Sequence, residues 1–316
     1  PSGADATIAD SDAITFTLSS DQVNQITGMY GGKYLHLFTK NGTFNMSSGS
    51  ATQGLSPTTV QVINETNDGA ADKKVIPASK STLYIGKNKK RLREFAYNID
   101  YDSYTSPDMT VLSEHLGFGN FEEAYFANYP NNVVWVRRGD GKLLGFTYYR
   151  NQDVTAWHQH TIAGTNAKVK SIATIPGVND AYDTVYMIVE RTINSATKQY
   201  VEFLEEEYRE ADGHTKDDAF FLDSGLSYSG GSTTSISGLD HLEGETVTVL
   251  NNGAVESTKT VSSGAITLTN ATTKCHVGLA YNAELESVNV EPKSQYGTTQ
   301  GKRGRIDKCI FRVFET

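Results

Sequence analysis

The sequence is poor in cysteine, proline and long apolar runs, and each shortage excludes something. Two cysteines, Cys275 and Cys309, cannot staple a disulfide scaffold. Each lies in an alternating run with apolar neighbours, which reads as buried free thiols, with one bridge between neighbouring strands as the alternative. Seven prolines among 316 residues leave no Pro-rich stiff linker. No run of about 18 apolar residues is present, so no membrane span is expected, and no signal peptide is visible. Basic residues are outnumbered, 28 Lys and Arg against 37 Asp and Glu, giving a net charge of -9. A dedicated nucleic-acid binder needs the opposite balance, because its affinity comes from Lys and Arg displacing counterions from phosphate. An acidic wall that DNA slides past remains compatible with this charge.

What is abundant points to strands and turns. Hydrophobic residues make up 38% of the chain, enough for a core, and 17 Tyr accompany 28 Gly and many Ser and Thr. Four segments repeat one plan of apolar strand, polar turn and second strand. They are Tyr34 to Met46 around Asn41-Gly42, Ser81 to Tyr97 around Gly86-Lys87-Asn88, Val133 to Tyr149 around Gly139-Asp140-Gly141, and Thr184 to Leu204 around Asn194-Ser195. Their matching core positions Phe38, Ile85, Trp135 and Ile188 are 47, 50 and 53 residues apart. Hairpins recurring about every 50 residues are the mark of propeller blades, which bury their faces only by stacking. Upstream strands at Ala124 to Ala127 and Ser171 to Ile175 extend repeats three and four. A β-sandwich with long loops is the rival architecture.

A short helix is expected from Asp108 to Leu116, with Asp108 capping its amides and Gly117 ending it. The Gly/Ser/Thr stretch from Ser224 to Ser237 reads as a boundary. The expected organisation is therefore all-β: a propeller-like region of about four blades over residues 1–225, incomplete in a chain that reads as a piece of a longer protein, and a small β-barrel or β-sandwich over 226–316. Strands of the second region are expected at Thr246 to Leu250, Ala265 to Leu268, Cys275 to Tyr281, Leu285 to Val290 and Asp307 to Phe314, with a turn at Asn251-Asn252-Gly253.

Several motifs bear on chemistry. Arg138-Gly139-Asp140 spells an adhesion tripeptide but sits at a hairpin tip, where Gly-Asp-Gly supplies a tight turn. His158 and His160 share a strand face at the spacing of half a metal site, but no third ligand is evident, and no metal or other cofactor is expected. Gly297 to Lys302 has the wrong spacing for a phosphate loop. The acid pairs Asp100 with Asp102 and Asp217 with Asp218, and the run Glu205-Glu206-Glu207, lack surroundings that tune a carboxylate for glycoside hydrolysis. No Gly-x-Ser-x-Gly elbow occurs, and the expectation is that the chain is not an enzyme. Two basic clusters, Lys87, Lys89, Lys90, Arg91 and Arg93, and Lys302, Arg303 and Arg305, are candidate contacts for a subunit or an acidic partner.

Longer stretches carry a family resemblance. Residues 131–162 (NNVVWVRRGDGKLLGFTYYRNQDVTAWHQHTI), 169–177 (VKSIATIPG) and 183–193 (DTVYMIVERTI) resemble the central region of the bacteriophage tail tubular protein B family, the tail nozzles and related stabilisation proteins of short-tailed phages. Residues 238–254 (GLDHLEGETVTVLNNGA), then HVGLAY, LESVNVE and GKRGRI, resemble the region that follows. Earlier, LHLFTKNGTFNMSSG, LSPTTVQV and REFAYNIDYDSYTSPDMTVLSEHL fit the same order. The resemblance implies a virion structural protein built as a β-propeller with an added small β domain. It implies six copies in a ring around the DNA exit channel, beneath the portal adaptor, offering docking surface to tail fibre proteins. DNA would pass without specific binding, and assembly would take place in the bacterial host cytoplasm before the protein joins the virion tail. The alternative is a glycan-binding receptor-recognition module of a phage tail, for which Trp157 is the candidate sugar platform.

Overall fold

The computed structural model describes residues 8–18, 24–49, 52–177, 182–286 and 308–310. It divides into two compact units, Pro1–Glu206 and Glu207–Thr316. The division falls ahead of the Ser224–Ser237 stretch read as a boundary, which forms a strand inside the second unit.

The first unit is a series of antiparallel sheets in chain order. The first holds β1 (Ile26–Gly31), β2 (Leu35–Thr39), β3 (Thr43–Ser48) and β4 (Val60–Thr66). The second holds β5 (Ile76–Ala78), β6 (Ser81–Ile85), β7 (Leu92–Asn98) and β8 (Ser103–Thr105). The third holds β9 (Phe121–Ala127), β10 (Val133–Arg138), β11 (Leu143–Tyr149) and β12 (Val154–His160), and the fourth only β13 (Lys168–Pro176), β14 (Asp183–Ile193) and β15 (Ala196–Phe203). Neighbours in sequence are neighbours in each sheet, so every sheet is a meander, as propeller-like blades are.

Apolar residues on the faces of successive sheets meet and hold the series together. Phe38 of the first sheet packs on Tyr84 and Phe95 of the second, with ring centroids 5.0 and 5.5 Å away. Leu83, Ile85 and Leu92 of the second pack with Phe121, Val134, Val136, Leu144 and Phe146 of the third. Leu143 of the third meets Val169, Ile172, Met187 and Val189 of the fourth. Burying each such side chain stabilises the stack by about 1.5–3 kcal/mol.

The four matched positions all fall on the second strand of their sheets. Phe38 and Ile85 are buried, but Trp135 is half-buried and Ile188 is 38% exposed. On the same strands their neighbours Val134, Val136 and Val189 are fully buried. The pleat puts adjacent residues on opposite faces: Val134 and Val136 face the second sheet, Trp135 packs toward the fourth beside Leu143, and Ile188 lies on the outer, exposed face of the fourth.

The expected helix is a 3-10 segment, Val111–Gly119, and Asp108 stands outside it. Asp108 Oδ1 instead accepts from the Thr110 amide at 2.8 Å, holding a turn. Gly117 lies within the segment, where a Cβ would come 2.2 Å from the Lys90 carbonyl oxygen. Close approach, not helix termination, is what requires glycine there.

The second unit contains one five-stranded antiparallel sheet: β16 (Asp223–Ser237), β17 (Thr246–Asn251), β18 (Ala254–Val255), β19 (Lys259–Thr260) and β20 (Ala265–Leu279). Its order is β16-β20-β17-β18, with β19 also on β17. Among the described residues it neither closes into a barrel nor gains a second sheet, which corrects that part of the expectation. The reason is β20: Ala265 to Leu268 and Cys275 to Leu279 are two ends of one 15-residue strand, paired with β16 over most of its length. Asn252 and Gly253, with φ of 45° and 72°, make the expected tight turn between β17 and β18. Val247, Val249, Ile266, Leu268, Cys275 and Val277 form its buried interior. The expected strand from Leu285 has Leu285 exposed and unpaired in any strand, and its continuation at 287–290 lies outside the described residues, as do 311–316. Among the described residues no helix is long and apolar enough to cross a membrane.

Candidate functional site

The first basic cluster lies on and beside the β6–β7 hairpin and is largely engaged by acids from other elements. Lys89 Nζ lies 3.2 Å from Glu122 of β9, which Lys73 also reaches at 2.6 Å. Arg91 pairs with Asp108 and Glu114, and Arg93 with Asp68, at 2.5, 3.1 and 2.9 Å. Lys87 donates to Asn41 Oδ1 of the first sheet's hairpin at 2.6 Å, and the Lys90 side chain is exposed. The cluster thus contacts both neighbouring sheets. Its electrostatics agree: the Lys73 hydrogen bond, with Lys89 behind it, holds the Glu122 carboxyl below its ordinary range. Burial pushes Asp108 up, but the Thr110 hydrogen bonds and Arg91 outweigh it and leave its carboxyl lowered. Lys302, Arg303 and Arg305 lie outside the described residues.

Trp157, on β12, is half-buried. Its Nε1 donates to the Met109 carbonyl at 2.8 Å, and its ring stacks on Phe121 and Phe146 with centroids 5.7 and 4.6 Å away. The polar edge and much of the ring are therefore used inside the protein. Arg138 and Asp140 close on each other through two hydrogen bonds, 3.1 and 2.6 Å, so the tripeptide is a self-paired turn.

His158 and His160 do meet. Nδ1 of His158 lies 2.8 Å from Nε2 of His160, and Trp135 packs against both rings. Glycine at 145 makes room, since a Cβ there would come 2.0 Å from His158 Cε1. Burial lowers the pKa of His158, and burial followed by the charge of His158 brings His160 to about 4. Among the described residues, no group of three or more His, Cys, Asp and Glu side chains is placed to hold a metal ion. Cys275 is buried and free, whereas Cys309 is free and exposed, which corrects the expectation of two buried thiols.

Sequence reasoning missed one polar constellation, in the second unit: Ser227 and His276 are cross-strand partners on β16 and β20, with Asp217 alongside. They are 49 residues apart, and only the strand register brings them together.

No protein-family model matches the chain, and no curated protein matches it. Among solved structures, a luciferin-regenerating enzyme aligns at 16% identity with a TM-score of 0.30, covering 49% of this chain and 50% of that one. The match thus spans about half the length of that protein. The expectation that the chain is not an enzyme is corrected here, because the aligned structure carries an enzyme's name. A likeness this distant transfers no reaction and no residue role, but the exclusion of catalysis is withdrawn.

Proposed function

We propose that the chain is a structural component of a phage tail, a nozzle subunit that forms a ring around the DNA exit channel and docks other tail parts. The observation that carries this reading is order. A run of propeller-like sheets is followed by a separate β unit, and the motifs that resemble the nozzle family occur in that same sequence. Two further features support it. A net charge of -9 suits a wall past which phosphate must move without sticking. On the last sheet of the first unit, Tyr186, Ile188, Val201 and Phe203 share one face by register, and all are exposed. An open apolar face suits contact with the next copy around a rotation axis.

Mass photometry over a concentration series tests the proposal. The expected result is a closed multiple of the chain, six copies in the resemblance, growing at the expense of monomer. Monomer at every concentration, together with selective binding on a glycan array, would replace the nozzle by the receptor-recognition reading.

A further inference from the structure

We propose that Ser227 is a nucleophile, activated by His276, that hydrolyses short-chain acyl esters at the open edge of the second unit's sheet. The inference rests on hydrogen-bond direction. Ser227 Oγ lies 2.7 Å from His276 Nδ1, and His276 Nε2 lies 2.8 Å from the backbone oxygen of Asp217. A carbonyl oxygen only accepts, so Nε2 must carry the imidazole proton. In the neutral ring Nδ1 is then a bare acceptor, and the Ser227 hydroxyl is the donor. One tautomer satisfies both contacts, and it is the tautomer a general base needs.

The orienting oxygen is itself held in place. It belongs to the single 3-10 turn Lys216–Asp218, closed by the Asp218 amide on the Thr215 carbonyl at 2.8 Å. Asp218 Oδ2 accepts from the Thr215 amide and hydroxyl at 2.8 and 2.9 Å, and Lys274 of β20 pairs with Asp218 Oδ1. Phe220 packs edge-on against the imidazole, centroids 5.3 Å apart. His276 is 5% exposed, whereas Ser227 is exposed, so a fixed base stands behind a reachable hydroxyl. β16 is the edge strand of its sheet, so the sheet leaves alternate amides on its outer side unused, the kind of donor a developing oxyanion needs. The open edge sets no deep acyl pocket, which favours a short acyl group on a larger alcohol.

The reaction balances with water alone. Ser227 Oγ bonds to the ester carbon while its proton passes to His276 Nδ1 and the carbonyl π pair moves onto oxygen. That pair returns, the bond from carbon to the alcohol oxygen breaks, and Nδ1–H protonates the departing alkoxide. Water then attacks the acyl-serine, giving its proton to Nδ1. The carboxylic acid leaves as Ser227 Oγ recovers that proton.

Labelling with a fluorophosphonate tests this, since formation of the Oγ–P bond expels fluoride and marks an activated serine. The wild type should take one label per chain, mapped by mass spectrometry to Ser227, and should hydrolyse p-nitrophenyl acetate. Ser227→Ala, a change at an exposed site, should abolish both. His276→Gln should slow labelling by about 100-fold or more, the scale of a lost general base. Absence of label on the wild type, label spread over many serines, or equal rates in a folded His276→Gln would overturn the proposal and leave a structural hydrogen bond. Should His276→Gln fail to fold by circular dichroism, the wild type against Ser227→Ala decides alone.

Discussion

Acid should loosen the third sheet of the first unit well before it protonates the carboxylates. His160 is held at about 4 in the folded chain against an ordinary 6.5. Below pH 6.5 the unfolded chain therefore binds a proton that the folded chain refuses, and stability falls with pH until the folded group titrates too. The contribution is intact above about 6.5, is lost by about 2 kcal/mol between pH 7 and pH 5, and levels off at about 3 kcal/mol below pH 4. His158, also lowered by burial, adds loss of the same sign. On the same face stand Arg137 and Glu123, already paired at 3.0 Å, while the adjacent sheet contributes the buried Arg191 with Glu202. Asp108, Glu122 and Glu256 have lowered carboxyls and lose their share only nearer pH 4 and below, outside this window. Both tryptophans of the chain, Trp135 and Trp157, lie in this sheet, so their fluorescence reports on it. Urea titrations followed by that fluorescence at pH 7, 6 and 5 should show a falling midpoint at constant slope. His160→Gln should remove most of the fall. A wild-type midpoint unchanged from pH 7 to pH 5, or a variant that falls in parallel, would refute the reasoning.

Arg191 is 1% exposed, donates to the Ala163 carbonyl at 2.7 Å and pairs with Glu202; Arg191→Ala should cost about 3–5 kcal/mol in chemical unfolding, because Glu202 is left without its partner. Gly145→Ala should push the His158 ring aside, lower the melting temperature and flatten the fluorescence-detected pH dependence, since the two imidazoles would lose their edge-to-face contact and the hydrogen bond between them. Native protein should react with one equivalent of an aromatic disulfide reagent, at the exposed Cys309, and with two when unfolded. Cys275 is buried, and that burial raises its thiol pKa.

The hairpins were legible because their turns are written in local chemistry. Asn194 and Ser195 both take positive φ, 47° and 62°, and Asn252-Gly253 does the same, so strand ends followed directly. Sheet order in the first unit followed because each of its sheets is a local meander, whereas β20 inserts between β16 and β17 in the second. The buried face was less legible: Trp135 outranks Val134 and Val136 in size, yet the pleat hands the buried positions to the valines. Strand β16 was hidden for another reason. Its Gly, Ser and Thr residues carry no apolar alternation, and it is a strand because β20 supplies backbone partners along most of its length. The basic cluster read as a free patch because Glu122, Asp108, Glu114 and Asp68 arrive from outside the run. The Ser227–His276 contact needed the register itself, which no local pattern encodes.

Electron microscopy of the purified protein, in its longest natural form and at several concentrations, tests the central claim most directly. The account predicts closed rings around an open channel at least about 20 Å wide, enough for a DNA duplex. Monomers or open fibres with no channel, at every concentration, would contradict it.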